Sequence, residues 1–452
     1  MLQLKRKMSW LLTAALLVGM FTGCASNNVS DAPNPDANSN TLTESESSNS
    51  DASGSKILRW AFAGDMVSET EGTKPLEELV ANFEDSNNCT VEFIPIARDN
   101  WSDYLTKLQT MMVSGNSPDV FQNPHEGGKM ADNLGINKSL NDFIDEHPEL
   151  WQDYIDNTYE SVAYVRQVDG EIYALPFCLQ DMVLWINLDR FQEAGLEIPD
   201  SNWKFEEFEE YLEILKQASE GKGWYPFGLP HDMSSYNQWL YNFDTGYFND
   251  DYTEVIFDNE KSIELLDFFI NCVNQGYSPI PDTNYDGWQQ LVDGYVAMTS
   301  CGKWMLNYCE AADFYNVAAV QVPEKYQSRP QYAIYSVEVC NTTSQYDLAC
   351  QFCFYTVTPE FEAQWAINDS AIPARSDVEV EWPQEWDQVR NLDLVQSIPE
   401  NAHSLQNPVC FTELVNIWNS MFTSAMAGEV NAEDACISAA EEIRSANDKY
   451  SS

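Results

Sequence analysis

From residue 56 onward the apolar positions fall into two rhythms that take turns. ILRWAF (57–62) is a short β-rich run. The next segment, TKPLEELVANFEDSN (73–87), sets Leu76, Leu79, Val80 and Phe83 on one helical face, with Pro75 suited to a first turn. CTVEFIPI (89–96) is again strand-like. In NWSDYLTKLQTMMVSGN (100–116), Trp101, Tyr104, Leu105, Leu108, Met111 and Met112 repeat at helical spacing and stop at Gly115. PDVFQ (118–122) closes the series as a third strand. Such βαβαβ alternation predicts an α/β lobe with a largely parallel sheet. Ligands of such sheets sit beyond the carboxyl ends of the strands, here Gly64-Asp65-Met66 and Gln122-Asn123.

The alternation continues. EIYALPF (171–177) and VLWIN (183–187) read as strands, and RFQEAGLEIP (190–199) and FEEFEEYLEILKQASEG (205–221) as helical. SIELLDFFINCVNQG (262–276) is another amphipathic helix. AVQVPE (319–324) and YSVEVC (335–340) return to strand. The segment 347–369 and the last forty residues are helical, and no internal repeat is present.

The first fifty-five residues follow neither rhythm. Lys5, Arg6 and Lys7 precede the apolar run Trp10–Phe21, with no acidic residue before Cys24. A basic start, an apolar core and small residues after it form a secretory signal, and the run is too short to span a bilayer, which takes about twenty residues. Phe21-Thr22-Gly23-Cys24 resembles a bacterial lipobox, with Phe where Leu is usual. Residues 1–23 are therefore expected to be a signal peptide and Cys24 the lipidated residue. Residues 24–55, rich in Ser, Asn, Asp, Ala and Pro, have almost nothing to bury and are expected to be a flexible linker. The expected location is the outer face of the cell membrane.

The chain carries 23 basic and 72 acidic residues, a formal charge of −49, which becomes −52 once the three basic residues of the signal are removed. A surface that acidic repels phosphate backbones, so nucleic acid is excluded as a partner. Fourteen Trp and twenty-two Tyr supply either bulky core or core plus a stacking surface. Ten cysteines remain after Cys24. They form no compact framework, so buried thiols are expected, with Cys301 and Cys309 a disulfide candidate. Cys350 and Cys353 form CxxC within an apolar helical pattern, and nothing completes a zinc site around them.

The order of motifs resembles the family-1 extracellular solute-binding proteins, the maltose-binding-protein-like receptors of ABC importers. The similarity is carried by SGNSPDVF (114–121), VDGEIYALPF (168–177), LWINLDRFQEAGLEIPDSNWKFEEF (184–208), DGYVAMTSCGKW (293–304), AVQVPE (319–324) and IPARSD (372–377). The resemblance implies an α/β, two-lobed clamshell of the type II periplasmic-binding kind, its lobes discontinuous in sequence and joined by hinge crossovers. Lobe one is expected at 56–177 plus 331–373, and lobe two at 183–325 plus 375–452. It implies a monomeric receptor, without cofactor or catalytic residue, that binds a carbohydrate and hands it to ABC permease subunits.

The same resemblance nominates ligand-binding residues. Asp65, after the first strand, falls where the maltose receptor has an acidic hydroxyl-binder, and Gln180 where it has a glutamate. Asn123 lies in the loop after the third strand, and Tyr236 and Trp239 in HDMSSYNQWL. Trp304 ends the CGKW motif, where the family commonly has a stacking tryptophan. Sugar binding needs such flat aromatic faces and planar polar groups. Asp65 also suits a helix cap, Trp239 also suits a helix core, and His125 reads as a surface-loop residue. Asp282, Asn284, Asp286, Gly287 and Asp293 follow the spacing of a calcium loop, but the twelfth position is Asp instead of bidentate Glu, so no metal is expected. No GxSxG, HExxH or Walker loop is present and four His are scattered, which argues against an enzyme; a lipid-anchored glycoside hydrolase is the rival of that class. A peptide or polyamine is the rival ligand.

Overall fold

The computed structural model describes residues 56–64, 73–98, 100–281, 287–396 and 402–450. Asp65, Cys24 and the Asp282, Asn284 and Asp286 positions of the calcium-loop pattern lie outside them.

The first three strands form as their pattern predicts. β1 (Lys56–Ala63) pairs in parallel with β2 (Cys89–Ile96), residue for residue from Lys56↔Cys89 to Ala63↔Ile96. On its other side it pairs in parallel with β3 (Val120–Pro124). The connecting helices are α1 (Lys74–Asn87), which buries Leu76, Leu79, Val80 and Phe83, and α2 (Trp101–Val113), capped by the Asn100 side chain on the Asp103 amide.

The centre differs from the sequence expectation. EIYALPF and VLWIN do not end as separate strands. Residues Ala174–Asn187 form one strand, β4, buried along its whole length. Burial on both faces removes the alternation that marks a strand in sequence. β4 belongs to two neighbourhoods. Up to Asp181 it pairs antiparallel with β8 (Gln331–Cys340), which itself lies antiparallel to β3. From Met182 it pairs antiparallel with β6 (Val296–Gly302), and over its last residues with β7 (Val317–Val320). β5 (Tyr225–Gly228) completes the sheet, parallel to β6. The order is β2-β1-β3-β8-β4-β6-β5, within a mixed sheet of eleven strands.

The fold is two-lobed α/β, and its buried apolar side chains form several clusters. One cluster draws on residues 58–178 and 335–371, around Trp60, Phe177, Phe352 and Trp365. A second joins Trp185, Cys301 and Met305 to Trp386 and Val389. The largest packs α3 (Phe205–Ser219), α4 (Met233–Asn242) and α5 (Glu260–Asn274) against α6 (Phe411–Met426) and α7 (Ala432–Asp448), and takes in Ala61, Tyr104, Leu105 and Phe121 as well. The ten described cysteines are all buried, Cys301 and Cys309 included. No described helix is long and apolar enough to cross a membrane.

Candidate functional site

Strand ends place the site. Beyond the carboxyl end of β2 come Arg98, Asn100 and Trp101; beyond β3, Glu126; beyond β5, His231 to Ser234; beyond β6, Trp304. These residues line one cleft of about 480 Å³, within the range of small-molecule sites. Gln180 of β4, Tyr335 of β8 and Phe411, Val415 and Asn419 of α6 line it as well. Parallel strands from both ends of the sheet thus aim their loops at the same space.

Aromatic rings give the cleft its shape. Trp288 and Trp304 meet edge to face with centroids 5.4 Å apart, and His231 and Tyr308 stand against Trp288 at 5.0 and 6.0 Å. The Trp304 indole folds back over Gly302: a Cβ there would lie 2.0 Å from a ring carbon, so only glycine admits this pose. Its Nε1 is buried with no hydrogen-bond partner among the described residues. Across the cleft, Trp101 packs on Tyr335 at 5.1 Å, and the Arg98 guanidinium lies 3.9 Å from the Trp101 ring centroid.

Polar groups converge between these rings. Gln180 donates through Nε2 to the Asp369 carbonyl at 3.1 Å, and its Oε1 is left without a described partner. Glu126 is only 3% exposed, and its Oε2 likewise meets no described partner. Burial, with a further push from the Asp232 charge, raises the Glu126 carboxyl to about 7. A buried polar atom without a partner costs free energy unless a ligand or water meets it, so both oxygens are sites for a donor.

The sequence did not single out Glu126, and its position has a long-range cause. Arg166, nearly fully buried, binds Glu338 at 3.0 Å and Asp132 at 2.8 Å; Glu338 also accepts from Asn123 at 2.8 Å and Asn137 at 2.7 Å. This network underlies the 125–128 turn, where a Cβ on Gly128 would lie 2.4 Å from Arg166 Nη1 and one on Gly127 would lie 2.8 Å from Asn123 Oδ1. It holds the turn so that Glu126 reaches the cleft.

The nominated residues separate. Gln180 and Trp304 line the cleft. Asn123 does not: it is fully buried beneath the turn, bound to Glu338. Tyr236 and Trp239 do not either. They sit on the inward face of α4, fully buried, Tyr236 against Phe269, Trp418 and Phe422, and Trp239 against Phe208 and Phe227 with Nε1 donating to Ser300 Oγ at 2.8 Å. It is the N-terminus of α4, not its side, that meets the ligand space. His125 is buried rather than on the surface, and burial, reinforced by Arg166 and Lys129, lowers its imidazole to about 3, so it stays neutral. No cluster of three metal-binding side chains occurs among the described residues.

Residues 78–391 match the family described as bacterial extracellular solute-binding protein, and over that span of the 452 residues the chain belongs to it. The periplasmic-binding protein YcjN of Escherichia coli (strain K12) is 29% identical over 144 residues, 30% of this chain and 30% of YcjN. The sn-glycerol-3-phosphate-binding periplasmic protein UgpB of Shigella flexneri is 21% identical over 321 residues, 68% of this chain and 72% of UgpB. The aligned part thus spans under a third of the first relative and nearly three quarters of the second. The ABC substrate-binding protein Lmo0181 from Listeria monocytogenes, solved in complex with cycloalternan, has a TM-score of 0.74 at 19% identity, covering 87% of this chain and 99% of that one. The fold is therefore that of the two-lobed periplasmic-binding proteins, which hold a solute without transforming it.

Proposed function

We propose that this chain is an exported, lipid-anchored receptor that captures a carbohydrate in the cleft and delivers it to the permease of an ABC importer. The observation that carries the reading is the pairing, in one cleft, of indole faces with buried planar groups that lack partners among the described residues: Trp304 and Trp288 beside Gln180 Oε1 and Glu126 Oε2. A sugar ring offers apolar C–H faces to the first and hydroxyl donors to the second. The cycloalternan in the name of Lmo0181 adds support for a saccharide of more than one ring. Trp304 and Gln180 remain the proposed contacts from the original set, with Asp65 beyond β1 as a third; Glu126 joins them. Lobe one at 56–177 plus 331–373 and lobe two at 183–325 plus 375–452 close on the ligand about the strands they share, and the receptor acts as a monomer. Cys24 carries the anchor.

A thermal-shift screen of residues 56–452 against mono- and oligosaccharides, peptides and polyamines tests the ligand class, because a ligand that binds only the folded state raises its stability with concentration. At least one saccharide should raise the melting temperature in a saturable way; a response confined to peptides would remove the reading. Cys24→Ala should shift the protein from the membrane to the soluble or precursor fraction, and equal partitioning of the two forms would remove the anchor.

A further inference from the structure

Charge divides the two walls of the cleft from their surroundings. Glu126 stands on the loop after β3, and Asp232 caps α4 at the other end of the sheet. Asp232 uses Oδ1 for the Ser235 amide at 2.8 Å and hydroxyl at 2.6 Å. Both carboxyls line the same cleft, and the Asp232 charge adds to the burial that raises the Glu126 carboxyl. Most of the cations nearby are engaged elsewhere, although Arg98 also lines the cleft and its charge favours the ionised Glu126. Arg166 is held by Glu338 and Asp132, Lys129 lies 3.4 Å from the centroid of the Tyr252 ring, and Arg98 is spread over Trp101. His125, next in sequence, is neutral.

Two acidic groups from loops at different ends of the sheet therefore line one space, and one of them is buried with an oxygen that meets no partner among the described residues. A neutral ligand leaves their repulsion in place when the walls come together. An anionic ligand, such as the glycerol phosphate named for UgpB, adds a third negative charge. A cationic group between them converts repulsion into two charge-assisted hydrogen bonds. Because the walls belong to different ends of the sheet, that gain falls mainly on the closed state, which is where a ligand must act to drive closure.

Resting on the carbohydrate reading, we infer that the cleft selects a sugar bearing a protonated amine, held between Glu126 and Asp232, over its neutral and phosphorylated counterparts. The preference is a matter of charge, so added salt weakens it.

The test is titration calorimetry with three matched series at pH about 7.5: glucose, galactose, mannose and cellobiose; glucosamine, galactosamine, mannosamine and the β-1,4-linked glucosamine disaccharide; and the hexose 6-phosphates. The amino member of the best-bound pair should bind about tenfold more tightly than its neutral partner, the difference between a charged and a neutral hydrogen bond. Glu126→Gln and Asp232→Asn should each cut that ratio to about twofold; Asn keeps the helix cap, so the second variant covers any folding defect of the first. Equal or tighter binding of the neutral or phosphorylated partner, or a ratio untouched by both variants, overturns the inference and leaves the sugar receptor standing. Binding of spermidine with no sugar of any series bound overturns the carbohydrate reading itself.

Discussion

Two sets of aromatic residues lie close together and do opposite work. Tyr236 and Trp239 ride on α4, three residues apart, and every residue of that helix from Ser235 to Asn242 is buried. Trp304 follows the last residue of β6 by two and stays part-exposed at the cleft. The residue types are the same. What differs is the element: a helix enclosed on all sides turns its indole into core, whereas a strand end with glycine beside it leaves one ring face for a ligand.

The sharpest way to break this contrast is to truncate the core member. Trp239→Ala removes a fully buried indole and its bond to Ser300, and should cost about 3–5 kcal/mol of folding stability in chemical denaturation. A loss under about 1 kcal/mol would return Trp239 to the cleft.

Trp304→Ala probes the other side. Its loss should weaken sugar binding by roughly 1.5–3 kcal/mol, or about ten- to a hundredfold, with unliganded melting nearly unchanged. A large fall in melting temperature with affinity intact would make it core.

The contrast extends to the polar groups beside the indole. The Glu126 carboxyl, raised to about 7 by burial, holds its proton in the folded state at pH values where the unfolded chain, near 4.5, has lost it. The folded state thus binds more protons between those values, and its stability falls as pH rises through about 4.5 to 7 and levels off above. Glu126→Gln, neutral throughout, should be more stable than wild type at pH 8 by about 1–3 kcal/mol, the gap closing towards pH 4.5. Parallel pH profiles of the two proteins would show a carboxyl at its ordinary value.

Gln180→Ala should have the smallest effect. It removes one neutral hydrogen-bonding group from the cleft, worth about 0.5–1.5 kcal/mol of sugar binding in calorimetry. No change would mean that Gln180 serves only its bond to the Asp369 carbonyl.

The contrast also shows where sequence reading reaches its limit. The βαβαβ start was legible because its two helices are amphipathic and its strands are short apolar runs set between them, and strand ends named the loops that build the cleft. β4 was not legible as one strand, since burial on both faces erases its period. Nor could helical spacing separate Trp239 from a site residue: period reports which residues share a face, not what covers it. Glu126 was out of reach for a different reason. Its placement depends on Arg166 and Glu338, 172 positions apart, meeting under the 125–128 turn.

The most direct test of the whole is a crystal structure of residues 56–452 with the saccharide that most raises the melting temperature. One sugar ring should lie flat against the Trp304 indole at about 4 Å, with hydroxyl or amine donors on Glu126 and Gln180 and no contact to Trp239 or Tyr236. A saccharide bound outside this cleft, or within it without touching Trp304, would contradict the assignment.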